Sequence, residues 1–181
     1  MFANHRSGRS HATPTQFEDD ARRYELTLSE HWQDFSQHPA LRSVTNPVQT
    51  RLIAFIKPPG NVSVPNVTIQ TYGVSNRPEI QSALDYARLA QASHQGVELH
   101  PPQSLSHDGL AGARWAYEYS NGLATVHSIT DYYLDGRTMI LLAAVSRPER
   151  FEQDKEDILP LLDSFRFTAK TPFAALPFSP N

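Results

Sequence analysis

The chain has 181 residues, a formal net charge of −3, 14 prolines and no cysteine. This length fits one domain with tails better than two domains. The sequence contains no run of Lys and Arg that could bind along a phosphate backbone, so nucleic acid is not an expected partner. The lack of cysteine excludes disulfides, thiolate metal sites and a thiol nucleophile, and every apolar run is too short to span a bilayer.

The two ends differ in composition from the middle of the chain. Residues 1–22 are rich in His, Arg, Ser and Thr without apolar periodicity, which predicts a flexible arm, and they lack the apolar stretch of a signal peptide. Residues 170–181 carry three prolines around Phe173 and Phe178, which predicts an extended tail because prolines at this spacing forbid a helix. We therefore expect one domain over residues 23–169.

The first half of this domain has the pattern of three strands and a helix. Alternating apolar residues predict strands over 24–28, 51–57 and 66–72. Ile80, Ala83, Leu84, Ala87 and Ala90 share one helical face, with Ser75 or Asn76 as the cap and Pro78 in the first turn. This helix should end near Ser93. The segment that follows, rich in histidine and proline, reads as a loop.

The second half predicts three more strands, over 112–119, 123–134 and 137–146. Asp135 and Gly136 form a strong hairpin signal between the last two. The strand 137–146 is apolar on both faces, so it should lie centrally in a sheet that is covered on both sides.

A second helix is expected over 154–163, with Pro160 tolerated only near its first turn. A short strand at 164–168 should close the domain. The order β-β-β-α-β-β-β-α-β predicts an α+β fold, an antiparallel β-sheet with helices packed on both faces.

Catalytic machinery is not apparent in the sequence. There is no G-x-S-x-G turn and no glycine-rich phosphate loop. Asp131 and Asp135 form a candidate carboxylate pair near the hairpin, but acid–base catalysis would need a cleft that separates their pKa values, so turn formation and solubility are the favoured explanation. We therefore expect no catalytic residue.

Three histidines, His94, His100 and His107, lie near each other in the predicted loop. Imidazole nitrogens can bind divalent metal ions, so these three residues are the candidate metal ligands. Their spacings of 6 and 7 residues match no known ligand signature, and exposed loop histidines are the alternative. The sequence thus predicts no cofactor, with a divalent metal left open.

The candidate partner-binding residues are aromatic, because aromatic side chains dominate interface energetics. They lie in the predicted strands and in the C-terminal tail; the alternative for the strand residues is sheet packing. The set is Trp115, Tyr117, Tyr119, Tyr132, Tyr133, Phe173 and Phe178.

The segment DYYLDGRTMILLAAVSRPERFEQDKEDILPLLDSFRF, residues 131–167, resembles the C-terminal hairpin and helix of the PsbP-like superfamily. The family shows a long hairpin strand, a short linker from Pro to Phe, a terminal helix and a closing S-F-R-F. The opening YELTLSEHWQD is similar to the family's first strand and tryptophan turn, with Glu30 and His31 in place of the usual pair. The resemblance covers residues 24–167 and implies an αβα sandwich.

The resemblance implies a protein that acts by binding. Members include extrinsic photosystem subunits, a Ran-binding import factor, bacterial envelope lipoproteins and chaperones of type VI secretion effectors. We expect a non-catalytic accessory or adaptor that binds another protein, as an envelope-associated or photosystem-type extrinsic subunit. Two alternatives are a chaperone or adaptor for a secretion effector and a metal-binding protein built on the loop histidines.

The compartment depends on what precedes this chain. If a targeting segment upstream of this sequence has been removed, we expect the protein in the periplasm or envelope. If there was no such segment, we expect it in the cytoplasm. Peripheral membrane association stays open.

Overall fold

The computed structural model describes residues 15–18, 24–35, 53–56, 65–107, 109–120 and 124–168. A seven-stranded antiparallel sheet, in the order β3-β4-β5-β9-β8-β7-β6, forms its centre. The strands of this sheet are β3 (Gln33–Asp34), β4 (Ile53–Ile56), β5 (Asn66–Gly73), β6 (Glu98–His107), β7 (Leu110–Ser120), β8 (Thr125–Asp135) and β9 (Thr138–Ser146).

A smaller sheet contains three strands: β1 (Thr15–Glu18), β2 (Tyr24–Leu28) and β10 (Arg166–Phe167), with β2 in the middle. Strand β1 pairs with β2, and Phe17 is buried in the main core, where the sequence predicts part of a flexible arm. One alternating apolar position in a four-residue strand is too weak a pattern to detect. The tail at 170–181 lies outside the described residues.

One face of the large sheet is covered by helix α2 (Phe151–Asp163) and the small sheet. Ile158, Leu161 and Leu162 of the helix are buried against a core that includes Leu142 of β9 and Tyr133 of β8. Helix α1 (Ala83–Ser93) packs on the opposite face through Ala83 and Ala87. The chain is therefore an α+β fold with helices on both faces of an antiparallel sheet, as predicted.

Helix α1 begins later than the sequence predicts. Ser82 is its N-cap, and the Asp85 backbone N–H donates to the Ser82 hydroxyl at 3.2 Å. Residues 74–80 instead form turns whose carbonyls are held by Arg137, with 3.1 Å from Nη1 to the Ile80 oxygen and 2.9 Å from Nη2 to the Arg77 oxygen. The hairpin end of the sheet thus fixes the start of the helix.

Helix α2 carries Pro160 near its C-terminal end, although the sequence predicts that proline only near the first turn. Pro160 is exposed, so water can solvate the Glu156 carbonyl that loses its helical hydrogen-bond donor. The helix also starts three residues earlier than predicted, because Phe151 is buried in the core.

Strand β6 is absent from the prediction, which places a loop there. Pro101 and Pro102 lie within it, and the pairing with β7 is irregular between Glu98 and Gln103. Proline is tolerated in a sheet at an edge, and β6 is an edge strand. His100 and His107 therefore lie in a strand and not in a loop.

Asp131 is not the exposed turn residue that the sequence predicts. It is fully buried on the α2 side, where Arg114 donates to both of its oxygens at 2.6 and 2.8 Å. Arg114 also donates to Asp163 at the end of α2, at 2.8 Å. Burial raises the pKa of Asp131, with Arg114 offsetting part of the effect. For Arg114, burial opposes the charge, but the two carboxylates raise its pKa overall. Asp131 thus links the sheet to α2 and does not pair with Asp135.

Candidate functional site: an open groove beside helix α1

The described residues cover only part of the face that carries α1. The helix lies over the hairpin end of the sheet, where Met139 and Tyr132 are buried beneath it. Beyond the helix, the same face forms an open groove with a volume of about 920 Å³. We call this the tyrosine groove; its lining includes Asn66, Thr68, Gln70, His94, Tyr117, Tyr119, Val126, Ser128, Thr130, Leu141, Ala143, Val145, Arg147 and Glu149.

The floor of the tyrosine groove follows from the strand register. Thr68 of β5 pairs with Ala143 of β9, and Ala143 pairs on its other side with Thr130 of β8. Side chains alternate between faces, so the even-numbered residues of β5 and β8 point to the same side as the odd-numbered residues of β9. The result is a polar stripe on β5, an apolar stripe on β9 and a hydroxyl stripe on β8.

The aromatic wall stands on β7. Trp115 and Tyr117 stack with ring centroids 4.0 Å apart, and Tyr119 lies 6.0 Å from Tyr117. Trp115 is buried, whereas the two tyrosines are half-buried and line the groove. The Tyr117 hydroxyl lies 3.3 Å from that of Thr130, which fixes the ring against the floor.

His94 joins the end of α1 to this wall. Its Nε2 donates to the Glu118 carbonyl at 2.9 Å, and its ring meets Trp115 and Tyr117 edge-on at 5.1 and 4.7 Å. Gly96 is required beside it, because a Cβ there would lie 1.9 Å from the same carbonyl and 2.6 Å from the His94 ring. His94 therefore acts as a packing residue between helix and groove.

The tyrosine groove is electrically almost neutral. Arg147 and Glu149 are the charged residues of its described lining, and their side chains are 4.0 Å apart and largely exposed. Burial, with a smaller effect of Tyr117, raises the pKa of Tyr119, so its phenol stays protonated at neutral pH. In the described lining, no serine, threonine or tyrosine hydroxyl hydrogen-bonds to a histidine or carboxylate. The arrangement favours burial of an uncharged partner surface.

Two of the predicted aromatic residues lie away from the groove. Tyr132 is buried under α1, with its ring 5.8 Å from that of Tyr86. Tyr133 points to the opposite face and stacks on Phe165 at 4.5 Å. Neighbouring residues of one strand point to opposite faces, so these two could never share a surface. Phe173 and Phe178 lie outside the described residues.

Among the described side chains, the candidate metal ligands do not come together. His94 is engaged with Glu118, and His100 lies exposed on the edge strand β6. Among the described side chains, which leave out that of His107, no three His, Cys, Asp or Glu residues cluster as a metal site would require. The metal hypothesis stays a prediction.

The floor residues Thr68, Gln70 and Leu141 were not candidates on sequence grounds. The sequence carries a signal for the two residues of β5, because Thr68 and Gln70 alternate with the buried Val67 and Ile69. A strand next to the central strand with one polar face indicates that this face is left open.

Comparisons of the whole fold identify its class. No family model and no curated protein matches the sequence. The solution structure of cyanobacterial PsbP (CyanoP) from Synechocystis superposes with a TM-score of 0.59 at 13% identity, covering 88% of this chain and 95% of that chain. The chain has the PsbP-like fold.

Two further structures with the PsbP-like fold match most of the chain. The Ran-binding protein Mog1p of Saccharomyces cerevisiae gives a TM-score of 0.52 at 8% identity, covering 86% of this chain and 96% of its own. LpqN of Mycobacterium tuberculosis, involved in cell envelope biogenesis, gives 0.54 at 11% identity, with 87% and 91% covered. Identities this low establish the fold alone. Within the described residues, no helix is long and apolar enough to cross a membrane.

Proposed function

We propose that this protein is a non-catalytic accessory or adaptor that binds another protein in the tyrosine groove. The observation that carries the proposal is the half-open sheet face, where the apolar stripe Leu141, Ala143 and Val145 lies beside two half-buried tyrosines. A partner that covered this stripe would remove apolar surface from water, which is favourable at about 25 cal/mol per Å².

The dimensions of the groove favour a protein over a small molecule. It extends across four strands, about 14 Å at the usual strand spacing, and is open on one side. Small-ligand sites enclose most of the ligand surface, which a groove this broad does not. Tyr117 and Tyr119 supply the rigid aromatic surface that is enriched at interface hot spots.

The test is recovery of a partner from the source organism with groove variants as bait. Tyr119→Ala removes part of the wall, and Thr68→Arg places a long charged side chain over the floor. We expect both to reduce recovery of a specific partner at least tenfold, a loss of about 1.4 kcal/mol, as expected for a hot spot. The matched control is Glu156→Arg on the exposed side of α2, which should recover the partner like the unmodified protein.

A second candidate is a chaperone that holds an apolar segment of a client, favoured by the apolar stripe of the floor. The two functions differ in what happens to the partner without this chain. An adaptor's partner stays soluble when expressed alone, whereas a chaperone's client aggregates and is rescued by co-expression. Rescue by the unmodified chain and its loss with Thr68→Arg would identify the chaperone; a partner that is soluble alone would exclude it.

A further inference from the structure

Strand β6 forms one edge of the seven-stranded sheet and pairs only with β7 among the described strands. It is ten residues long, whereas the opposite edge, β3, has two. A long edge strand carries a row of unpaired N–H and C=O groups, which is a template for a further strand. Its first half is protected, because Pro101 and Pro102 lack an N–H and the pairing there is irregular.

The second half of β6 has no such protection. Residues 103–107 pair regularly with β7 and contain no Pro, Asp, Glu, Lys or Arg. Gln103, Ser104 and Ser106 are exposed, and Leu105 is half-buried against the main core. Edge strands are normally guarded by charges or prolines, so an unguarded stretch of five residues indicates a site where another strand is added.

The sequence of this stretch, Gln-Ser-Leu-Ser-His, is nearly symmetric about Leu105. Two copies placed antiparallel with Leu105 opposite Leu105 would set each Ser104 opposite a Ser106 of the other copy. Serines directly opposite each other can hydrogen-bond, and no like charges meet. An antiparallel strand pair about a two-fold axis is also the self-complementary contact that closes a dimer.

We propose that the proline-free half of β6 binds the same five residues of a second copy of this chain, which joins two sheets edge to edge. The contact is short, because the ladder ends at Pro102 on one copy and at the turn around Gly109 on the other, so the dimer is weak and depends on concentration. This inference does not rest on the tyrosine groove, which lies on the face of the sheet, and it can fail without affecting the proposed function.

Sedimentation velocity from micromolar to millimolar concentration tests the proposal through a charge pair. In the Ser104→Lys, Ser106→Lys double variant, each lysine faces a lysine of the other copy, and we expect dimerisation to weaken about tenfold. In Ser104→Lys, Ser106→Glu, each lysine faces a glutamate, and dimerisation should return to the unmodified level or exceed it. The two variants change the same exposed positions, so each is the control of the other.

Circular dichroism checks that each variant is folded before its dimerisation is compared. A protein that is monomeric up to millimolar concentration overturns the proposal, as does equal dimerisation of the two lysine-containing variants. If β6 instead binds a strand of a different protein, this chain alone sediments as a monomer, and that result also overturns the proposal.

Discussion

The two faces of the seven-stranded sheet belong to the same strands but differ in how completely they are covered. On one face, α2 and the small sheet bury a continuous core that includes Leu142, Ile158 and Phe165. On the other, α1 covers the hairpin end and leaves Leu141, Ala143 and Val145 half-exposed. Neighbouring residues of strand β9 therefore lie in different environments, one in the buried core and the next in the half-open groove.

This difference separates stability from binding. The α2 face carries most of the large buried side chains and the Arg114 and Asp131 ion pair, so substitutions there should destabilise the domain strongly. The half-exposed floor residues Leu141, Ala143 and Val145 contribute less to folding, because their side chains remain partly in water. The apolar surface left open in the groove is the surface that the proposed partner would cover.

Breaking the buried ion pair is one of the two changes with the largest expected effect on stability. Asp131→Ala leaves the Arg114 guanidinium without its main partner, and we expect the free energy of unfolding to fall by about 3 kcal/mol. Urea denaturation measures this change. Asp135→Asn, at the hairpin, is the control and should change stability by less than about 0.5 kcal/mol. Equal losses of stability in the two variants would contradict the conclusion that Asp131, unlike Asp135, is a buried structural partner of Arg114.

The most direct comparison of the faces uses adjacent leucines. Leu142→Ala on the covered face should cost about 3 kcal/mol, as for a fully buried leucine, whereas Leu141→Ala in the groove should cost about 1 kcal/mol. Both values come from the same denaturation experiment. If Leu141→Ala proves as costly as Leu142→Ala, the groove floor is part of the core.

Arg137 holds the loop before α1 through three carbonyl oxygens, those of Val74, Arg77 and Ile80. Arg137→Gln should lower stability by about 2 kcal/mol, since hydrogen bonds to a charged group are lost. It should also increase amide hydrogen exchange in α1 more than in α2. Arg147→Gln, with an exposed arginine, is the matched control and should leave exchange in both helices unchanged.

The smallest effect concerns acid stability of α1. The hydrogen bond from Ser82 lowers the pKa of Asp85, so the unfolded chain binds a proton at higher pH than the folded chain. The stabilisation is present above the unfolded pKa and is lost as pH falls through the folded pKa. Asp85→Asn should therefore flatten the stability profile below about pH 4. Thermal melts from pH 2 to pH 7, at about one-unit intervals, compare it with the unmodified chain; a profile with an unchanged acid slope would contradict the assignment.

Periodicity predicted most of the fold because it records which side chains face the core. The two-sided apolar strand 137–146 is the central strand β9, and the Asp135 and Gly136 hairpin is present, with Gly136 at a φ of +58°. The start of α1 was misplaced because Arg137, distant in sequence, holds the carbonyls of the preceding loop. Strand β6 was missed because Pro101 argues against any strand except an edge.

The site was only partly predictable. Tyr117 and Tyr119 were candidates and lie in the groove wall, but the floor depends on the register of three strands and on where α1 ends. Asp131 looked like a turn residue, since no local pattern shows that Arg114 pairs with it across the sheet.

The proposed partner docks on the open half of the sheet face. A photo-crosslinking amino acid at position 68, in the groove floor, tests it in the source organism, with the same residue at position 156 on α2 as the reference. We predict one specific crosslinked protein from position 68 and none from position 156. Crosslinking from position 156 alone, or the same products from both positions, would contradict the account.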